Sequence, residues 1–261
     1  MSKPESNSPP ARPTSGLPLS FRVFVALLAP PLAAVLLSSV ASLIRPVAAT
    51  DGRAANTLLL ASAGLVSLLL GTAWYGLDGM GLRGKRPLYA GIAFASMGWI
   101  VFLIARFVWV LNAGYGPAGA TRAFIYLLLF EALAVQIWTF GFFFRALADW
   151  RGPLTAAIGS GLLFGAVGLL FFQESFYGDL PALLFFLLWG VFYGIIRLRT
   201  GSLIGIVVIQ AIQSFTAWVV MVPAAQPPPE QAMKTVYLVT SVAFLIFIWR
   251  LWPKQEADYR V

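Results

Sequence analysis

Long hydrophobic runs, separated by short polar or Gly/Pro-rich segments, dominate the pattern of this chain. Each run has about 18 residues or more, and as a helix it would cross a hydrocarbon core of about 30 Å. Pro30 and Pro31 fall inside the first run and should kink it. The pattern predicts an all-α fold, a polytopic transmembrane helical bundle of eight helices: Phe21–Ile44, Asn56–Leu77, Leu88–Leu111, Arg122–Leu147, Pro153–Phe172, Leu180–Leu198, Ser202–Val222 and Met233–Trp252.

The segments outside these runs predict the organisation of the chain. Residues 1–20 are rich in Ser and Pro and should form a disordered tail, residues 21–252 one transmembrane domain, and residues 253–261 a short second tail. Of the 18 Lys and Arg residues, 13 fall on the side shared by both termini and 4 on the other, with Arg106 inside a helix. The positive-inside rule then predicts that both termini are cytoplasmic.

Composition narrows the possible chemistry. Hydrophobic residues make up 59% of the chain and charged residues only 11%, far from the balance of an ordinary soluble domain. The chain has no Cys and no His, which excludes thiolate and imidazole chemistry and the metal sites that need either ligand. The net charge of +8 comes from basic residues at helix ends rather than from basic runs. We therefore expect a lipid bilayer as the surroundings, no nucleic-acid partner, no metal and no cofactor.

Two ionisable residues are predicted at membrane depth. Arg106 lies near the outer end of the third helix, and Glu131 lies nine residues into the fourth. A short loop joins these helices, so they are expected to be antiparallel neighbours with the two side chains at similar depth. We predict an intramembrane ion pair between Arg106 and Glu131. A structural lock between helices is the favoured interpretation, because pairing is the cheapest way to bury either charge.

The seventh predicted helix carries a small polar face. Gln210, Gln213 and Ser214 recur at spacings of three and four within an otherwise apolar run. Such groups can line a cavity, or they can form hydrogen bonds between helices, and the sequence leaves both possibilities open.

Three segments, in order, resemble the CAAX-protease and bacteriocin-processing family (CPBP, also called Abi) of intramembrane proteases. The end of the fourth helix, FGFFFRAL, resembles the first family motif, in which two adjacent glutamates are followed after three residues by Arg. The run RGPLTAAIGSGLLFGAVGLL resembles the helix of the second motif, Phe-xxx-His. RLRTGSLIGIVVIQAIQSF is similar to the third region, where His is followed four residues later by Asn. The resemblance implies a protease-like frame over residues 122–222.

At the positions that handle protons in the family, this chain has residues of other types. Arg145 and Phe164 match their motifs, whereas Phe140 and Gly141 occupy the glutamate positions, Gly168 and Gln210 the histidine positions, and Ser214 the asparagine position. A general base must present a proton acceptor to the attacking water, and neither Phe nor Gly has one. Gln210 can donate a hydrogen bond but cannot shuttle a proton.

The resemblance and its gaps together favour a non-catalytic relative of these proteases. We expect a binding or assembly module for a transmembrane or lipid-anchored protein in a bacterial cytoplasmic membrane, with Arg145, Gln210, Gln213 and Ser214 as binding residues. The glycines at former catalytic positions are expected to leave room in the family's cavity. Two alternatives stay open: an active CAAX-type endopeptidase with a non-standard site, and a small transporter that uses the predicted intramembrane ion pair.

Overall fold

The computed structural model describes residues 16–44, 52–82, 86–110, 124–125, 127–171, 179–216 and 230–260. Over these residues the chain is helical, as predicted, and seven helices are long and apolar enough to span a membrane, with α7 shorter. The predicted start at Arg122 and the predicted end at Val222 lie outside the described residues. The helices are α1 (Leu19–Ile44), α2 (Gly52–Gly79), α3 (Arg86–Val110), α4 (Leu127–Arg151), α5 (Pro153–Phe171), α6 (Leu180–Thr200), α7 (Ile204–Phe215) and α8 (Glu230–Leu251).

Helix α4 lies at the centre of the bundle and is the most buried of the candidate spans. It packs against α1, α2, α5 and α7, whereas α6 packs against α3, α5 and α8. An all-round apolar surface suits a helix that touches neighbours on every side. The protease-like frame is therefore built around the most buried of the candidate spans.

Helix α4 also departs from the regular helix that the sequence predicts. Two π-helical segments, Leu127–Leu133 and Ile137–Phe143, flank a short α-helical turn, and the helix continues to Arg151. At the end of the second segment, the N–H of Phe144 donates to the carbonyls of Gly141 and Thr139. In an α-helix that N–H would bond to Phe140, so the wider turn leaves the Phe140 carbonyl available to another donor.

Helices α5 and α6 approach each other closely through small residues. A Cβ on Gly161 would lie 2.7 Å from the carbonyl carbon of Gly190, and a Cβ on Gly194 would overlap the carbonyl of Ala157. Small residues allow such backbone contact in membrane bundles, where packing rather than hydrophobic transfer drives association. This contact holds the helix of the second motif against the helix that precedes the third.

Four segments meet at one end of the bundle. Helix α2 is broken at Gly76, whose φ of 68° is in the left-handed region, and the chain then turns through Gly81, whose carbonyl accepts from the N–H of Leu203 at 2.9 Å. Residues 252–260, which we call the C-terminal tail, reach the same place, because the N–H of Arg260 donates to Leu198 at 2.9 Å. The start of α1 joins them through Arg22, which interacts with Tyr75. The sequence predicts that these segments lie on one side of the membrane.

The C-terminal tail is held by its own hydrogen bonds as well as by α6. Asp258 accepts from the backbone N–H groups of Lys254 and Gln255 through Oδ2, at 2.9 and 3.3 Å. Those bonds, with the Arg199 guanidinium 3.7 Å from the carboxylate, hold the pKa of Asp258 below its usual value. The short tail predicted from the sequence is thus packed against the bundle over its described residues.

Candidate functional site

The residues that match the first and second motifs meet in a closed aromatic cluster. Phe140, at the first glutamate position, is fully buried, and its ring centroid lies 5.6 Å from that of Phe164. Phe164 packs in turn on Trp189, at 5.2 Å, and Tyr193, at 5.7 Å. The structure therefore brings together the two positions that the resemblance relates, but with phenyl rings in van der Waals contact rather than with polar groups.

The space beside Gly141 is already filled. A Cβ at this position would lie 3.0 Å from Met80 Cε and 3.6 Å from Leu203 Cδ2. The expectation that this glycine leaves room in a cavity is therefore wrong, because the segment after the break in α2 inserts Met80 at that place. Gly168, at the histidine position of the second motif, is also buried.

Gln210, at the histidine position of the third region, contacts α4 one turn away from Phe140. The Nε2 of Gln136 donates to the Oε1 of Gln210 at 2.5 Å, and both side chains are fully buried. The other two amide atoms, Gln136 Oε1 and Gln210 Nε2, form no hydrogen bond within the described part of the chain. This bond supports the prediction that the polar face forms hydrogen bonds between helices. It leaves one amide acceptor and one amide donor at the centre of the bundle without a partner among the described residues.

The remaining members of the predicted polar face are also buried. Gln213 is 3% exposed and Ser214, at the family's asparagine position, is 4% exposed. Gln136 was not singled out in the sequence, because a lone Gln in an apolar helix carries no signal without its partner on α7.

Arg145 matches the first motif and lies at the rim of the site rather than in it. Its Nη2 is 2.9 Å from Asp149 Oδ1 one turn later on α4, and both side chains are about one quarter exposed. An ion pair at this spacing on a partly exposed helix contributes only a few tenths of a kcal/mol, about 0.3–0.5 kcal/mol. Its main consequence is to orient the guanidinium.

Arg197 is a second arginine at this end, and sequence reasoning missed its position. It is 1% exposed, and its Nε donates at 3.2 Å to the Phe140 carbonyl that the π-helical turn leaves available. Its Nη2 donates at 3.4 Å to Gly79, and the guanidinium carbon lies 5.0 Å from the centre of the Phe144 ring. The sequence signal was only a basic residue in the last turn of α6, which is common at membrane interfaces.

Arg106, one member of the predicted intramembrane pair, contacts α8 in the structure. Arg106 is 1% exposed, and its Nη1 donates to the thioether of Met233 on α8 at 3.3 Å. Helix α3 packs mainly against α6, α7 and α8. The sequence predicted that the third and fourth helices are neighbours, but α4 is not among the main packing partners of α3. The ion pair between Arg106 and Glu131 stays a prediction.

The rings that pack on Phe140 and Phe164 within the described residues belong to Phe, Trp and Tyr side chains and carry no carboxylate or imidazole. The nearby Gln136–Gln210 amide pair can only donate and accept hydrogen bonds. Over the part of the chain that the structure describes, no group of three or more Asp, Glu, His or Cys side chains is placed to hold a metal.

Comparison with known proteins bears on the same segment. Residues 117–216, well under half of the chain, match a family model described as type II CAAX prenyl endopeptidase Rce1-like. No curated protein and no solved structure matches the chain. The match covers the helices that carry Phe140, Phe164 and Gln210, and it confirms the resemblance inferred from the motifs. This chain is an integral membrane protein that contains a segment similar to the type II CAAX prenyl endopeptidases.

Proposed function

We propose that the chain is a non-catalytic relative of the type II CAAX prenyl endopeptidases and binds a membrane-embedded or lipid-anchored protein. The observation that carries the proposal is the fully buried Phe140, which occupies the position of a family glutamate and packs on Phe164. Hydrolysis needs a water molecule and a base in contact with it, and a phenyl–phenyl contact offers neither.

The binding half of the proposal rests on the Gln136–Gln210 pair. Leaving a buried amide donor or acceptor without a partner costs about 1–3 kcal/mol, and more where no water is near. The pair retains one acceptor and one donor, which complement the N–H and C=O of a peptide group. Because both side chains are fully buried, a partner segment reaches these atoms only when α4 and α7 separate. A segment with an exposed peptide group would then satisfy both atoms, whereas a purely apolar segment would satisfy neither.

Two measurements test the two halves of the proposal separately, cleavage with the purified protein and partner capture in native membranes. In nanodiscs, the protein should leave a farnesylated CAAX peptide intact over hours. Cleavage that disappears in Arg145→Ala would show that the chain is an active protease of this family.

The partner is sought by crosslinking in native membranes, affinity purification and mass spectrometry. Wild-type protein should retain one stoichiometric membrane partner, and Gln210→Leu should lose most of it. Thr240→Val is the matched control, because Thr240 is a buried polar residue on α8 whose hydroxyl, among the described residues, bonds within its own helix. Equal recovery with Gln210→Leu and wild type would refute the assigned site, and repeated recovery of the protein alone would refute the binding function.

We further propose that the end of the bundle carrying Arg145 and the C-terminal tail faces the cytoplasm of a bacterial cell. The excess of Lys and Arg on this side supports the orientation. We assign the predicted Arg106–Glu131 pair a structural role, because transport would need a continuous polar path through the bundle. Loss of solute flux in proteoliposomes on Glu131→Gln, with folding intact, would contradict that role.

A further inference from the structure

The segment that follows the break in α2 is a self-contained turn. Residues 77–82, which we call the gate segment, begin after Gly76, whose φ is 68°, and turn at Gly81, whose φ is 76°. The N–H groups of Gly81 and Leu82 both donate back to carbonyls within the segment, each at 2.9 Å, which is the pattern of a glycine-capped helix end. Because these bonds are internal, the segment can move as a unit without losing them.

Backbone carbonyls attach the gate segment to two other helices. The carbonyl of Gly81 accepts from the N–H of Leu203, immediately before α7, at 2.9 Å. The carbonyl of Gly79 accepts from Nη2 of Arg197 on α6 at 3.4 Å, a long distance for such a bond. The same guanidinium also holds the carbonyl of Phe140, so the gate segment and the π-helical turn of α4 share one donor group.

Met80 is the part of the gate segment that fills the core. Its side chain is fully buried, a Cβ on Gly71 would overlap its Sδ, and a Cβ on Gly141 would lie 3.0 Å from its Cε. At both contacts the neighbour has no side chain to interlock with the thioether. An unbranched, flexible methionine therefore fills this space without a precise fit on either side.

The gate segment lies next to the aqueous phase. The candidate span that contains α2 ends at Gly79, so Met80 follows it directly, and Leu77 in the same turn is 39% exposed. Gly141, in contrast, is buried against Met80 on α4. Displacement of one turn would therefore connect the space beside Gly141 to the membrane interface.

We propose that the gate segment opens and closes this space by rotating about the glycines at its two ends. Glycine accepts large backbone rotations, and hinges are commonly a few residues at the end of an element. In the closed form described here, Met80 packs on Gly141 and Gly81 bonds to Leu203, which ties α4 to the start of α7. Opening releases both ties. The gate is inferred from these contacts and does not depend on the proposed partner-binding function.

The test uses cysteine reactivity, because the full chain has no Cys of its own. In nanodiscs, Met80→Cys should react with a soluble maleimide at a rate set by the fraction of molecules with an open gate. Adding Gly81→Ala should raise this rate about tenfold, because an alanine at φ 76° is strained and its Cβ would lie 2.6 Å from Cζ of Arg197 in the closed form. The matched control is Gly152→Ala at the end of α4, where φ is 90° and the added methyl meets nothing within 4 Å. It imposes a similar backbone strain and should leave the rate unchanged.

A second reporter separates gate opening from a general loosening of the bundle. Ser160→Cys places a thiol at a fully buried position on α5, which is not among the main packing partners of α2. It should stay unreactive with and without Gly81→Ala. A rate for Met80→Cys that Gly81→Ala leaves unchanged, an equal rise with Gly152→Ala, or a parallel rise for Ser160→Cys would each overturn the gate. No partner takes part in this assay, so its failure is distinguishable from failure of the partner capture.

Discussion

The contact between α5 and α6 gives the sharpest prediction about how this bundle holds its site together. Gly161→Ala adds one methyl group, whose carbon would lie 2.7 Å from the carbonyl carbon of Gly190 and 2.7 Å from the Cα of Val191. Carbon atoms in contact prefer about 3.5 Å, so the helices would have to separate by about 0.8 Å. The obstacle is backbone on both sides and cannot rotate away.

Overpacking of this kind costs about 1–3 kcal/mol, and we expect about 2 kcal/mol for Gly161→Ala. Any gain in helix propensity is small, because transmembrane helices are formed before they associate. The control is Gly159→Ala, two residues earlier on the same helix, where the added methyl would meet only the flexible end of the Leu147 side chain. That variant should stay within about 0.5 kcal/mol of wild type.

Reversible unfolding in mixed micelles of increasing SDS fraction, followed by circular dichroism, measures both variants. The stability of Gly161→Ala should fall while the control keeps the wild-type midpoint. Equal midpoints for all three proteins would show that α5 and α6 are not held by backbone contact at this point, and the explanation of the close approach would be wrong.

Three further predictions follow from other parts of the structure. Gln136→Leu or Gln210→Leu alone should cost about 1–3 kcal/mol in the same unfolding assay, and the double variant less than the sum, because each single change leaves a buried amide unpaired; additive costs would contradict the pairing. Two backbone N–H groups lower the pKa of the Asp258 carboxylate below the ordinary aspartate value of 3.8. The C-terminal tail should therefore be fully stabilised above pH 3.8, and it should loosen as the pH falls through the lower pKa that Asp258 has in the folded protein. Limited digestion by an acid-active protease measures this, and Asp258→Asn should remove the pH dependence; a tail equally protected at all pH values would contradict it. The chain has no Cys, so a single Cys at Pro228 should react with an impermeant maleimide on intact cells and one at Lys85 should not; the reverse result would invert the proposed orientation.

Much of the fold could be predicted because membrane insertion depends on local composition. A run of about 20 apolar residues must form a helix in lipid, since every backbone group has to bond within its own segment. The predicted helices Pro153–Phe172 and Leu180–Leu198 correspond to α5 and α6 within two residues at each end. The π-helical turns in α4 could not be predicted from local composition, because they depend on the packing of α4 against four neighbouring helices.

Part of the candidate site could likewise be predicted from the sequence, and part depends on contacts between distant segments. Phe140 and Phe164 were assigned to the first and second motifs from the sequence, and the structure brings their rings into contact. The filling of the space at Gly141 by Met80 was not foreseeable, because the two residues are far apart in the chain and meet only through the break at Gly76.

By itself the sequence determined that this is a helical membrane protein and that Phe140, Gly141, Gly168 and Gln210 stand where the family motifs have glutamate or histidine. These properties depend on residue identity and on spacing along single helices. Only the tertiary structure decided that Gln136 pairs with Gln210 and that Arg197 donates to the carbonyl of Phe140. Such contacts join residues 57 to 74 positions apart, and their free energies depend on distances between helices, which no pattern along one helix contains.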